Sequence, residues 1–412
     1  MGTTLSASRI AGSVIAAAAL VAGGVALAPG ASADTAAVGR ILLADSPTAI
    51  PGSYVVKFKE SRVAGRAVAP TATRLARANG GRVGFTYATA LPGFQFKGDA
   101  AGAARLAADP SVEYVEQDQT VTLDDRAGDT RLATAWGLDR SDQRKLPLDD
   151  KYAPRGKGGE NVSAYIIDTG IRQTHQDFGG RAVAGFDAVT QGGKADDCHG
   201  HGTHVAGSTA GTTYGIAPKA KLYAVRVLNC QGSGSNSGVI SGIDWVAKNA
   251  VKPAVANMSL GGGANQGTDD AVAKGVSAGV VFVVAAGNGN AQGVPQDACG
   301  FSPARTPTAI TVAASQNNDS RASFTNYGKC VDIWGPGVNI PSAWKDSDTS
   351  TKTISGTSMA SPHVAGAAVL ALEANPTGTP AQIGDKLVAD ATPDVITNPQ
   401  GGTANKLMYV GS

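Results

Sequence analysis

From Trp136 onward the chain alternates short continuous apolar runs with segments of helical periodicity. "VSAYIID" (162–168), "KLYAVRVL" (221–228), "PAVANMSL" (253–260), "VVFVVAAG" (280–287) and "AITVAAS" (309–315) have the length and composition of strands buried on both faces. Between them, "SGVISGIDWVAKNA" (237–250) and "TDDAVAKGVSAG" (268–279) read as helices. Buried strands alternating with helices predict an α/β domain with a doubly wound, mostly parallel sheet. Such sheets bind ligands beyond the carboxyl ends of their strands, so polar residues just after the apolar runs are the first candidates for chemistry.

A smaller segment precedes this domain, roughly from Asp34 to Leu123. "SYVVKF" (Ser53–Phe58) reads as a strand and "TATRLARANGG" (Thr71–Gly81) as a helix with a glycine exit. "RVGFTYATALPGFQF" contains two strands around Pro92-Gly93, "DAAGAARLAAD" (Asp99–Asp109) a second helix, and "SVEYVEQDQTV" a last strand. The order β-α-β-β-α-β predicts a small α+β module of ferredoxin-like topology. The polar stretch "DDRAGDTR" (Asp124–Arg131) then reads as a cleavable linker.

At the N-terminus, Arg9 precedes the apolar run Ile10–Gly30, and "ASA" at 31–33 supplies small residues at a cleavage position. Residues 1–33 are therefore expected to be an export signal, 34–128 the small module with its linker, and 129–412 the large domain. The composition fits a soluble globular protein: 42% hydrophobic, 17% charged, net charge +2. No Lys/Arg block points to nucleic acid or to a membrane surface. Export makes the four cysteines candidates for bridges. Three pairings are open, and Cys198–Cys230 with Cys299–Cys330 would close loops of similar span; no C-x-x-C spacing supports a thiolate metal site.

Three chemistries compete for the polar residues. His199, His201 and His204 match the histidines of a dinuclear metallohydrolase motif, but Thr203 stands where that motif needs an aspartate, and H-E-x-x-H is absent. "GVSAG" (Gly275–Gly279) fits a nucleophile elbow at Ser277, but a helical pattern precedes it and a strand follows, the reverse of what an elbow needs. The third candidate is dispersed. Asp168 ends an apolar strand, and His201 and Ser358 each open a helical segment, with Pro362 close behind the serine. Asp, His and Ser in that chain order form one of the convergent catalytic triads.

"DTGI", "HGHGTHVAG", "SLGG", "AAGN" and "GTSMASPHVAG", in this order, resemble the subtilisin-like serine proteases, and within them the proteinase K-like branch with a secreted inhibitory proregion. The resemblance implies a secreted, self-processing endopeptidase with Asp168, His201 and Ser358 as triad and Asn288 as oxyanion donor. It implies a substrate cleft between Gly232, Ser233 and Gly234 on one side and Ser259, Leu260, Gly261 and Gly262 on the other. Ala285, Ala286 and Gly287 would line the specificity pocket, whose small residues suit broad specificity with an apolar or aromatic bias. A structural Ca2+ is expected on the carbonyls of Pro307 and Ala309 and the carboxylate of Asp332, a ligand set of hard oxygens. The partners expected are protein and peptide substrates and the chain's own propeptide as inhibitor, with no nucleic acid or membrane and the enzyme a monomer.

Overall fold

The computed structural model describes residues 39–123, 126–127 and 135–412. The export signal and most of the linker lie outside the described residues. Among the described residues no helix is long and apolar enough to cross a membrane.

The small module contains β1 (Ala49–Phe58), α1 (Val68–Ala78), β2 (Arg82–Tyr87), β3 (Gly93–Lys97), α2 (Ala100–Ala107) and β4 (Val112–Thr122). Its antiparallel sheet runs β4-β1-β3-β2, the ferredoxin-like order, with Ile41–Leu42 added beside β4. Helix α1 begins three residues before the predicted Thr71. Val68, Ala72, Leu75 and Ala76 share its buried stripe, so the apolar period outweighs Pro70, which lies in the first turn where a missing N–H is tolerated. Asp99 caps α2 by accepting the Gly102 N–H at 2.7 Å. Both faces of the sheet are buried. Tyr54, Val56, Phe58, Phe94 and Phe96 pack against α1 and α2, while Val55, Tyr87, Leu91 and Val121 join a core shared with the large domain.

The large domain is built on β5 (Ser163–Asp168), β6 (Ala182–Asp187), α3 (His201–Ala210), β7 (Lys221–Arg226), the short strand β8 (Ser233–Ser235) and α4 (Asn236–Asn249). The chain continues through β9 (Ala254–Met258), α5 (Gln266–Ser277), β10 (Val281–Ala285), β11 (Ile310–Ser315), β12 (Ile333–Pro336), α6 (Thr357–Ala374), α7 (Pro380–Asp390) and β13 (Lys406–Leu407). The main sheet runs β6-β7-β5-β9-β10-β11-β12-β13 in parallel, with Thr392–Pro393 antiparallel at its edge. Period-two side chains divide between its faces. Ala164 and Ile166 of β5 face the layer of α3 and α6, and Tyr165 and Ile167 face the layer of α4 and α5.

The chain leaves β5, reaches the edge at β6, returns to β7 and then crosses to β9 on the other side of β5. Strand order reverses around β5, which opens a crevice at its carboxyl end, where Asp168 sits. The central helix α6 is buried on all sides from Thr357 to Leu372. It carries Pro362 at its sixth residue, inside the helix rather than at its start. The missing Pro362 N–H leaves the Ser358 carbonyl without its helical donor, and Ser259 Oγ donates to that carbonyl instead at 2.8 Å.

Candidate active site

Asp168 is fully buried. Its Oδ1 accepts the Thr169 N–H and faces His201 Nδ1, both at 2.7 Å. That contact fixes the imidazole with Nδ1 as donor, so Nε2 is the nitrogen that can act as base. His201 is the first residue of α3, and Gly200 before it has φ 110°. A Cβ at Gly200 would lie 2.4 Å from the Trp344 indole, so only glycine lets the chain turn into the helix there.

Ser358 is the second residue of α6, and its Oγ donates to the Ser259 carbonyl at 3.2 Å. Asn288 follows β10. Its Oδ1 accepts from Thr357 N at 2.8 Å and Thr357 Oγ1 at 2.9 Å, which turns the side-chain amide so that Nδ2 is the group it presents as donor. Asn288 and Ser358 line one cavity of ≈ 160 Å³. Ser259, Leu260, Gly261 and Gly262 form one wall of this cavity, and Ala285, Ala286 and Gly287 another.

Gly232, Ser233 and Gly234 stand apart from the cavity wall, on a strand edge. Ser233, Gly234 and Ser235 pair antiparallel with Thr122, Val121 and Thr120, and Leu123 N donates to Gly232 O at 3.0 Å. The end of the small module therefore enters the cleft as an added strand, and Thr122 and Leu123 complete the cavity. Beyond the undescribed Asp124 and Asp125, Arg126 and Ala127 pair antiparallel with Ser355 and Ile354.

The small module is seated on the amino ends of α4 and α5. Asp118 accepts Ser237 N at 3.0 Å and Ser237 Oγ at 2.6 Å. Glu116 accepts from Gln266 N at 3.1 Å and from Asn265 Nδ2. Acidic groups at helix amino termini complement both the orphan N–H groups and the dipole. Burial nevertheless pushes the Glu116 carboxyl up to about 7, the helix N–H groups opposing it. In return Asp244 of α4 accepts the N–H groups of Thr89 and Ala90 at 2.7 and 2.6 Å.

The remaining histidines have other partners. His199 Nδ1 accepts the His201 N–H at 3.3 Å, and His204 Nε2 lies 3.0 and 3.1 Å from the Ile340 and Lys352 carbonyls. His363 Nδ1 donates to Met359 O at 2.7 Å, and burial holds its pKa down to about 4. Ser277 closes α5 with its Oγ on Ala273 O at 2.9 Å. Cys198–Cys230 and Cys299–Cys330 are disulfides, which selects one of the three pairings.

Asp332 immediately precedes β12, and its Oδ2 accepts the Thr311 N–H at 2.8 Å. Burial pushes its carboxyl up to about 6. Its partner Thr311 follows the exposed Pro307 and the buried Ala309 by a few residues, and a carboxylate with two carbonyls is the class of oxygen donors a hard cation takes.

Sequence reasoning missed Asn326, which staples the pocket loop. Its Nδ2 donates to Ala286 O at 2.9 Å while its Oδ1 accepts from Gly289 N at 3.0 Å. Phe301 and Ala304 also line the cavity and were not anticipated. No local pattern marks these residues, since only the fold brings them to the cleft.

A model of the subtilase family matches residues 159–408, and one of the peptidase inhibitor I9 family matches 53–124. An extracellular serine proteinase of a Thermus species is 49% identical over 382 residues, 89% of this chain and 91% of that protein. Alkaline serine exoprotease A of Vibrio alginolyticus is 50% identical over 306 residues, 74% of this chain, which spans 56% of that longer protein. The crystal structure of a cold adapted subtilisin-like serine proteinase superposes with a TM-score of 0.64 at 51% identity, covering 67% of this chain and 98% of that one. With the buried His201–Asp168 pair at the switch point and the inhibitor module on the helices of the large domain, these matches show that the chain belongs to the subtilase family of serine proteases and carries an I9 inhibitor propeptide.

Proposed function

We propose that the chain is exported as a zymogen, cuts its own linker, and then acts as an endopeptidase of broad, apolar-leaning specificity. The buried 2.7 Å contact between His201 and Asp168, at the carboxyl end of the central strand, carries this reading. A serine hydroxyl is a weak nucleophile until a base removes its proton. His201 Nε2 takes the Ser358 Oγ proton as Oγ bonds to the scissile carbonyl carbon, and the carbonyl π electrons move onto oxygen. Asp168 holds the tautomer and stabilises the imidazolium. His201 then gives the proton to the leaving amine as the C–N bond breaks. Water repeats the cycle on the acyl-enzyme and frees Ser358. Asn288 Nδ2 and the Ser358 N–H are the donors for the oxyanion.

The strand edge at Gly232–Ser235 would bind substrate backbone as it binds the propeptide tail. The small-residue walls of the cavity suit an apolar or aromatic side chain. Two flanking contacts, Leu123 on Gly232 O and Arg126 opposite Ser355, support a self-cleavage point between Leu123 and Arg126. The inhibitor-family match ends at residue 124, in line with that point. The signal-like N-terminus and the Thermus relative described as extracellular support export. Pro307, Ala309 and Asp332 would hold a Ca2+ that stiffens the segment after the pocket and takes no part in the chemistry.

The test is to secrete wild type and Ser358→Ala and compare size, N-terminal sequence and casein hydrolysis. The expected result is a mature form beginning at 124–126 for wild type, and an unprocessed, inactive chain for Ser358→Ala. Processing and casein digestion by Ser358→Ala would overturn the reading.

A further inference from the structure

Two loops place the triad: Thr169–Arg172, which follows Asp168, and Ala195–Gly200, which leads into His201. They are sewn together through the side chain of Asp197. Asp197 Oδ1 accepts from Thr169 Oγ1 at 2.9 Å, His199 N at 2.9 Å and Gly200 N at 2.8 Å. Its Oδ2 accepts from Thr203 N at 2.9 Å and Thr203 Oγ1 at 2.6 Å. All five contacts come from donors, so they use the acceptor capacity that only an ionised carboxylate supplies.

The network is closed on both sides. Thr169 Oγ1 accepts the Gly202 N–H and Thr203 Oγ1 accepts the Arg172 N–H, each at 2.9 Å. Ile171 N adds a direct loop-to-loop bond to Ala195 O at 3.1 Å. The amino end of α3 is thus held against the residues that follow Asp168, and His201 is the first residue of that helix.

We infer that Asp197 is a positioning residue for the reaction, setting the separation of His201 and Asp168 by clamping the loop before the base to the loop after the acid. The inference rests on His201 acting as the base. Asn at this position presents only one acceptor oxygen, so the clamp loses either its Thr169, His199 and Gly200 side or its Thr203 side. Catalysis is sensitive to displacement of this kind, in which a shift of about 1 Å costs on the order of 100-fold.

The experiment compares the secreted, self-processed chain as wild type, Asp197→Asn and Asp187→Asn, with active-site titration and kcat and KM measured separately on a peptide amide well below the unfolding range; secreted Ser358→Ala, expected to remain unprocessed, is assayed on the same substrate. Asp187 is a matched control. It also gathers loop N–H groups, those of Val189 and Thr190 at 2.9 and 2.8 Å, but from the loop that follows β6, and it pairs with Arg226 at 3.5 Å. The expected result is a kcat about 10- to 100-fold lower in Asp197→Asn with KM within about threefold of wild type, and an Asp187→Asn kcat like wild type. A kcat within about twofold of wild type in Asp197→Asn, or an equal loss in Asp187→Asn, rejects the assignment. Activity surviving in Ser358→Ala would instead reject the triad reading beneath it. Should Asp197→Asn fail to mature, Thr169→Val removes one hydroxyl bridge and keeps every backbone donor. Its kcat is expected to fall about 3- to 10-fold, and an unchanged kcat rejects the clamp.

Discussion

The propeptide, an α+β module on an antiparallel sheet, and the catalytic domain, a doubly wound α/β fold on a parallel one, spend their buried polar groups differently. In the catalytic domain such groups face inward and bind its own elements together: Arg140 is fully buried and holds Asp319 at 2.6 and 3.0 Å, and Asp168 holds His201. In the propeptide, Glu116 and Asp118 face outward and satisfy amino ends of helices that belong to the other domain. The propeptide is therefore attached in two ways, by acidic groups at helix ends and by the apolar core that Val55, Tyr87, Leu91 and Val121 share with the catalytic domain. The charged contacts can be exchanged for water one by one, whereas separation of the shared core exposes its apolar surface together.

Changes to the fixed framework should cost most. Asn288→Ala is expected to lower kcat by about 100- to 1000-fold with little change in KM, read on active-site-titrated mature enzyme. Replacing Cys198 and Cys230 together by serine removes a bridge spanning 32 residues. The loss of stability should be about 3–4 kcal/mol, seen as a lower Tm by calorimetry. Changes to the removable contact should be smaller and should leave the mature enzyme unaltered. Asp244→Ala strands the N–H groups of Thr89 and Ala90 and should weaken propeptide inhibition by about 10-fold, measured as the fraction of freshly processed enzyme that reacts with an active-site titrant.

A graded effect should follow pH. Glu116 is raised from 4.5 to about 7 by burial when docked, so the docked state binds the extra proton. Its contribution to docking is fully present below the free value and is lost as pH rises through about 7. The inhibited fraction should therefore fall from pH 5 to pH 8 in wild type, and fall less in Glu116→Gln. A steeper fall in the variant would contradict the assignment. A propeptide variant that changed mature kcat, or Asn288→Ala altering inhibition more than catalysis, would break the division between the two regions.

Much of this was legible along the chain. The continuous apolar runs predicted strands buried on both faces, and the β-α-β-β-α-β order of the small module emerged with its ferredoxin-like sheet. Asp168, His201, Asn288 and Ser358 stood at the ends of elements, where motif and position pointed to the same residues. Boundaries shifted where packing outweighed local signals. Helix α1 takes in Val68 because that side chain completes its buried stripe. Pro362 lies inside α6 because Ser259 Oγ replaces the donor it removes.

What the sequence by itself determined was therefore periodic or local: which segments are strands and helices, and which residue types stand where chemistry is possible. The tertiary structure decided the rest. It chose the cysteine pairing, brought Asn326 to the pocket loop, laid Thr120–Leu123 on the Gly232–Ser235 edge, and closed five hydrogen bonds on Asp197. The physical reason is one of range. Apolar period and turn chemistry act over a few residues, whereas hydrogen-bond satisfaction and strand register are settled between groups that only the folded chain brings within 3 Å or so of each other.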